Sequence, residues 1–157
     1  MSEKISNKNH LRYNDAGNVH MDFHGATNTT IEFIIKKYGI KIMDDIFFKV
    51  GKEVYKDLRE NIKKGNIKML AEHWDHFFGR ENSEYKIELD KDQVVLTVKK
   101  CRAYEHVKKI AGFVSPNFCD QTIKTNQALS EGTEYVIDTK ILGEASCQQI
   151  IRKKYDT

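Results

Sequence analysis

A stripe of apolar side chains runs through residues 41–64 at the spacing of an α-helix, and it limits what the first half of this chain can form. Charged residues occupy the opposite face of the same segment, so the pattern predicts one long amphipathic helix. Shorter helices are predicted over 27–38 and 67–78, with Gly39 and Gly65 as helix ends. The apolar positions of the stripe are Met43, Ile46, Phe47, Val50, Val54, Leu58 and Ile62.

The second half of the chain is predicted to contain two strand pairs separated by helices. Each pair is joined by a short turn, and Gly143 marks the second of these turns. This order indicates an α+β domain, in which N-terminal helices pack on an antiparallel sheet of about four strands with two inserted helices. The predicted strands are 85–89, 94–98, 135–142 and 146–153, and the predicted helices between them are 102–111 and 117–130.

A length of 157 residues suits one domain with its own core, which we place over residues 20–157. Residues 1–19 are polar and carry little pattern, so they are predicted to form a flexible N-terminal arm. No apolar run approaches the ~20 residues of a membrane span, and no apolar segment of the secretory-signal type is found near the N-terminus.

Charge and cysteine content narrow the class of partner and the compartment. The net charge is +3 and no nucleic-acid-binding signature is found, so neither nucleic acid nor a membrane is predicted as a partner. A small-molecule substrate is predicted instead, with a homo-oligomer as a further alternative. Three cysteines is an odd number, which favours reduced thiols in a cytoplasmic protein over a disulfide framework.

The three cysteines all fall at junctions between predicted elements. Cys101 ends a strand and opens a helix, Cys119 lies in the first turn of the next helix, and Cys147 begins the last strand. Side chains at element ends can converge at one end of a sheet. If Asn117 caps its helix, the helix N-terminus lowers the pKa of the Cys119 thiol and raises its thiolate fraction.

A second group of candidate residues lies near the N-terminus, in His20, Asp22 and His24. In an extended segment these three side chains point to one side, because side chains alternate along a strand. Such a face could bind a metal ion, or it could hold a general base beside a carboxylate. A polar loop with solvated histidines is the simpler alternative.

Polar residues after this segment are predicted to begin the first helix. Thr27, Asn28 or Thr29 could be the N-cap, and Glu32 lies at the capping-box spacing from Thr29. The free N–H groups at such a helix start could also hold the carboxylate of a ligand, as could the guanidinium of Arg102.

Three segments of the second half resemble a known family. These are LTVKKCRAYEHV, FCDQTIKTNQAL and LGEASCQQI, each containing one cysteine. In their order and spacing, over roughly residues 30–153, they resemble the L-2-amino-thiazoline-4-carboxylic acid hydrolase family, which is distantly similar to 4-vinyl-reductase-like small-molecule-binding domains. The resemblance implies a hydrolase that opens a cyclic, amidine-like thiazoline. Arg102 stands where the family often has proline, and Gly143-Glu144 where it often has Gly-Asp.

Three uses of the cysteines follow. In the first, Cys119 is a nucleophile, His24 or another histidine is its base, Asp22 orients that base, and Cys101 and Cys147 complete the site. In the second, the three thiolates bind zinc or an iron–sulfur cluster, with His20, Asp22 and His24 as the alternative metal ligands. In the third, the domain binds a small molecule without chemistry. The first use is the leading prediction: hydrolysis of a C–N or C–S bond at a cysteine-centred site.

Overall fold

The computed structural model describes residues 18–155 of the chain. Most of the predicted N-terminal arm, residues 1–17, lies outside the described part. The described residues form six helices and four strands: α1 (Asp22–Tyr38), α2 (Ile40–Glu53), α3 (Lys56–Lys63), α4 (Lys68–Arg80), β1 (Glu84–Leu89), β2 (Gln93–Lys100), α5 (Arg102–Ala111), α6 (Asp120–Ser130), β3 (Tyr135–Gly143) and β4 (Ser146–Lys153).

The four strands form one antiparallel sheet in the order β1-β2-β4-β3. The predicted α+β class, with helices before the sheet and two helices inserted between its hairpins, is confirmed. Strand β2 carries the clearest alternation, since Val94, Leu96 and Val98 are buried and the residues between them are not. This alternation suits the inner position of β2 in the sheet, because an inner strand presents one apolar face to the core.

The predicted single helix over 41–64 is wrong, because the chain forms α2 and α3 with a break between them. Tyr55 leaves the helical conformation, with φ −102° and ψ 30°. The apolar spacing continues across the break and therefore does not reveal it: Leu58 is fully buried in α3, whereas Val54 is 57% exposed at the break. Gly39 ends α1 as predicted, with φ +91°.

Two clusters of buried apolar side chains make up the core. The larger cluster joins the inner face of the sheet to α3, α4 and the end of α6, and it contains Trp74. The smaller cluster joins α1 and α2 to α5 and to the loop before α6; its buried members are Ile31, Met43, Phe47, Val107 and Phe118. Across residues 18–155, no helix combines the length and the apolar character needed to cross a bilayer.

Candidate functional site

All three cysteines and His24 line one cavity of about 340 Å³, which we call the thiol cavity. Its other walls come from the end of α4, from α5, from the loop between α5 and α6, from α6 and from the β3–β4 hairpin. Every cysteine is free and half-buried. The structure therefore brings together three thiols that are far apart in the sequence.

Pairing within the sheet explains why Cys101 and Cys147 meet. Cys147 lies opposite Val98 in the β2–β4 ladder. The backbone N–H of Cys101, just beyond the end of β2, donates to the carbonyl of Ala145, 2.7 Å away in the β3–β4 turn. Both thiols are consequently held at the same end of the sheet.

Cys119 reaches the cavity through the packing of α6. It precedes the first helical residue, Asp120, and is the N-cap of α6 rather than part of its first turn as predicted. Asn126 lies seven residues later, two turns along the same face of the helix. Its Nδ2 donates to Gln149 Oε1 at 2.7 Å and to Thr139 Oγ1 at 2.9 Å, so this face of α6 lies against β3 and β4.

The predicted low pKa of the Cys119 thiol is wrong, because burial raises the pKa to about 12, with further contributions from Cys101, Cys147 and Asp120. Burial likewise raises the pKa of the Cys147 thiol to about 11 and raises the pKa of Cys101. No side-chain hydrogen bond caps α6, and burial outweighs any effect of its N-terminus. All three thiols are therefore neutral at neutral pH.

The extended arrangement predicted for His20, Asp22 and His24 is wrong, because α1 begins at Asp22. Helical rotation sends Asp22 and His24 to different neighbours. Asp22 is exposed, and its Oδ1 lies 2.8 Å from Nε2 of His106 in α5. His20 precedes the helix and is exposed. Asp22 therefore does not orient His24.

The residue that holds His24 is Glu81, which the sequence analysis missed. His24 Nε2 lies 2.6 Å from Glu81 Oε1, and the two side chains are only 5% and 2% exposed. An ionised carboxylate only accepts hydrogen bonds, so in that form Nε2 is the donor, and in the neutral imidazole Nδ1 is then the acceptor. Burial of such a pair is costly, which makes it a candidate for function.

The second carboxylate oxygen of Glu81 is not involved in the bond to His24. This oxygen, Oε2, is buried and has no hydrogen-bond partner within the described part of the chain. Glu81 is the C-cap residue of α4. Burial is the main cause of the raised pKa of the Cys101 thiol, and the negative charge of Glu81 raises this pKa further. The carboxylate is thus coupled electrostatically to a thiol of the cavity as well as to the imidazole.

The residues predicted to begin α1 lie inside it instead, so their capping interpretation is wrong. Thr27 Oγ1 donates to the carbonyl of Phe23, one turn earlier. Asn28 is buried, donates to the carbonyl of Phe113 and accepts from the backbone N–H of Ser115, which fixes the loop between α5 and α6. Thr29 is exposed. None of the three lines the thiol cavity.

Arg102, the other predicted contact for a ligand carboxylate, is also engaged elsewhere. Its Nη1 donates to Glu105 Oε2 at 3.0 Å and its Nε donates to the carbonyl of Asn82 at 3.2 Å. It is exposed and does not line the thiol cavity. Glu32, predicted to complete a capping box, accepts a hydrogen bond from the Ser115 hydroxyl at 2.5 Å.

The metal prediction receives no support from this geometry. Between residues 18 and 155, no group of three or more His, Cys, Asp or Glu side chains is arranged to hold a metal ion. This statement covers the three thiols, and it covers His20, Asp22 and His24. We derive no chemistry through zinc or an iron–sulfur cluster.

A second cavity of about 270 Å³ adjoins the first, and we call it the aromatic cavity. Ring side chains dominate its lining, among them Tyr55 and Trp74. The two cavities share six lining residues: His24, Phe77, Phe78, Gln121, Thr122 and Gln149. The buried imidazole therefore stands at the boundary between the cavities.

A chain of polar side chains also runs along this boundary. Gln149, only 1% exposed, accepts from Asn126 and directs its own Nε2 toward Cys147 Sγ, 3.9 Å away. The sequence offered one signal for it, because Gln149 occupies an inward position of β4 between Cys147 and Ile151. No comparable signal marks Glu81, which appears in the sequence as an ordinary charged residue after a helix.

No protein-family model matches this chain, and no curated protein matches it.

Proposed function

We propose that this protein is a small-molecule hydrolase that opens a C–N or C–S bond in the thiol cavity. One observation carries the proposal: a cavity of about 340 Å³ is lined by three thiols and by the imidazole of a buried His–Glu pair. Perturbed titratable groups beside a cavity are typical of catalytic sites. The resemblance to the L-2-amino-thiazoline-4-carboxylic acid hydrolase family supplies the reaction class.

In the proposed mechanism the Cys119 thiol attacks the electrophilic amidine carbon of a cyclic substrate. Because the pKa of this thiol is raised to about 12, it enters as the neutral S–H form and needs a base. His24 Nδ1 accepts the proton as the S–C bond forms, and Glu81 stabilises the resulting imidazolium. The ring C–S bond breaks and the ring sulfur takes the proton from His24. Water then adds across the C=N bond at the same carbon, with one proton going to the nitrogen. The bond from that carbon to Cys119 Sγ breaks, and Sγ takes the second water proton as the product leaves.

The charges around the cavity restrict the substrate. Asp120 and Glu144 line the thiol cavity, and no lysine or arginine within residues 18–155 does so. Glu144 is paired with Lys108 at 2.6 Å, so Asp120 is the carboxylate of the lining that carries the argument. The positions predicted to hold a carboxylate, Thr27, Thr29 and Arg102, lie elsewhere. We therefore infer that the substrate is neutral or positively charged, and that a carboxylate on the ring, as in the family's name, is unfavourable here.

The test compares two substrates, 2-amino-2-thiazoline and its 4-carboxylate, by following ring opening with NMR. We expect 2-amino-2-thiazoline, which lacks the carboxylate, to be opened faster, with His24→Gln and Cys119→Ser each reducing the rate by about 10²-fold or more. Mass spectrometry of the wild type should also detect a covalent adduct on Cys119.

The matched control is His106→Gln, because His106 also bonds a carboxylate but does not line the thiol cavity. It should retain the wild-type rate. Ring opening that survives in Cys119→Ser but is lost in His24→Gln would assign the attack to water instead. No ring opening of either compound would overturn the proposal.

A second candidate function is non-catalytic binding of a small molecule in the same cavity. The raised pKa values of the cysteine thiols favour it, since a neutral thiol behaves as a small apolar side chain. This function predicts that 2-amino-2-thiazoline raises the melting temperature without being consumed. Product formation in the NMR assay would exclude it.

A further inference from the structure

The aromatic cavity is a second concave site with a lining unlike that of the thiol cavity. Its volume of about 270 Å³ exceeds the ~150 Å³ of an engineered cavity that accommodates benzene. It therefore has room for one aromatic ring with a substituent. Rings form just over half of its lining: Phe23, His24, Phe47, Tyr55, His73, Trp74, Phe77 and Phe78.

The polar groups of this cavity are amides, hydroxyls and the imidazoles of His24 and His73. Gln121, Thr125 and Asn126 line one side of it, and no Asp, Glu, Lys or Arg within residues 18–155 does so. Aromatic walls favour a planar ring through offset or edge-to-face packing. Amide groups offer both donors and acceptors, so they select a neutral ring that carries a hydrogen-bonding heteroatom.

The two cavities are immediate neighbours. Six residues line both cavities, so at these positions only the side chains of those residues lie between them. Gln149 lies at this boundary, bonded to Asn126 of the aromatic cavity and directed toward Cys147 of the thiol cavity. A molecule extending from one cavity into the other would pass His24.

We propose that the aromatic cavity binds a neutral planar ring bearing a hydrogen-bonding group, and that this ring is the recognition end of the ligand whose other end lies in the thiol cavity. The extension of the ligand into the thiol cavity rests on the proposed function, whereas the binding of a ring in the aromatic cavity does not. The class of substrate thus becomes a neutral aromatic amide or heteroaromatic ring linked to the reacting group.

The probe for the ring site is benzamide, with benzoate as its charged counterpart of nearly the same shape. Trp74 is the single tryptophan of the chain and lines the aromatic cavity, so its fluorescence reports occupancy there. We expect benzamide to change the Trp74 emission saturably, and benzoate to require at least about tenfold higher concentration. Equal responses to the two probes would overturn the proposal.

Two valines provide matched variants. Val50 lines only the aromatic cavity and Val114 only the thiol cavity, and both are half-buried. Val50→Phe should weaken benzamide binding about tenfold or more, whereas Val114→Phe should leave it within about twofold. The opposite pattern, or equal losses, would overturn the assignment. If Val50→Phe fails to fold, shifts of the Trp74 indole N–H resonance in the wild type decide between benzamide and benzoate.

The link between the cavities is tested with N-propylbenzamide, whose tail can extend past the boundary. We expect it to slow iodoacetamide labelling of Cys119 at pH 9 at least about fivefold, while benzamide does not. Val114→Phe should remove this protection without removing the Trp74 response. Protection by neither compound would overturn the two-cavity ligand. A failed ring-opening assay would leave these binding results unaffected, so the two proposals fail separately.

Discussion

At the scale of single residues, burial decides the chemistry of this site. Sequence spacing identified His24 and the three cysteines, but it assigned Asp22 to His24 and a low pKa to Cys119. The two errors have different origins: the assignment of Asp22 assumed an extended segment where α1 is helical, and the low pKa of Cys119 assumed a thiol that is not buried. Asp22 is 64% exposed at its side chain and bonds His106, while Glu81, 57 residues from His24 in sequence, is buried beside it.

The raised pKa of the Cys119 thiol predicts a pH-dependent stability. The folded state keeps its proton up to about pH 12, whereas an unfolded cysteine loses it near pH 8.5. Within this window the folded state binds more protons, so the free energy of unfolding falls as pH rises. Denaturant titrations between pH 8 and 11 should show a shallower fall for Cys119→Ala than for the wild type. Parallel pH dependences would contradict the assignment.

The two His–carboxylate pairs predict different losses of stability. Glu81→Ala leaves a buried imidazole without its acceptor and should reduce the free energy of unfolding by about 3 kcal/mol. Asp22→Ala removes an exposed pair and should cost less than about 1 kcal/mol. Urea denaturation of both variants makes the comparison, and similar losses would mean that burial of the Glu81 pair contributes little.

At the scale of elements, the sequence predicted types better than boundaries. The strands and α5 begin and end within about two residues of their predicted positions, because alternation and glycine placement mark them. The start of α1 and the break between α2 and α3 were missed. In both places the apolar pattern is compatible with more than one backbone path, and packing against other elements chooses between them.

One element contact yields a sharp prediction. A Cβ on Gly51 of α2 would lie 2.6 Å from Ala128 Cβ and 2.9 Å from the Thr125 carbonyl oxygen in α6. Gly51→Ala should therefore destabilise the protein by about 1–2 kcal/mol, despite the ~1 kcal/mol that alanine gains in helix propensity. Gly143→Ala is the control, since nothing lies within 4 Å of its Cβ. A more stable Gly51→Ala variant would show that the two helices can separate without cost.

At the scale of the whole molecule, the two core clusters share a boundary. We call the smaller cluster, which contains Ile31, the helical cluster, and the larger cluster, which contains Trp74, the sheet cluster. The polar part of the boundary is formed by His24 with Glu81 and by Asn126 with Gln149. His24 and Gln149 of this boundary line both cavities, so the shape of the site depends on the two clusters being held together. The predicted single domain over residues 20–157 is consistent with this shared boundary and is tested by the cooperativity of unfolding.

We expect Trp74 fluorescence and far-UV circular dichroism to report the same unfolding midpoint, because the clusters should unfold as one unit. Ile31→Ala in the helical cluster and Leu70→Ala in the sheet cluster each remove a fully buried side chain. Each should cost about 2–5 kcal/mol and move both signals equally. A Trp74 transition that is unmoved by Ile31→Ala would mean that the clusters unfold independently.

The sequence by itself determined the fold class, because apolar periodicity is a local property that survives without knowledge of partners. It also marked Cys101, Cys119, Cys147 and His24, since unusual residue types at element ends can be read from one chain. Only the tertiary structure decided that Glu81 holds His24, that the thiols are neutral, and that a second cavity adjoins the first. Those outcomes depend on burial and on contacts across long sequence separations, which no local pattern records.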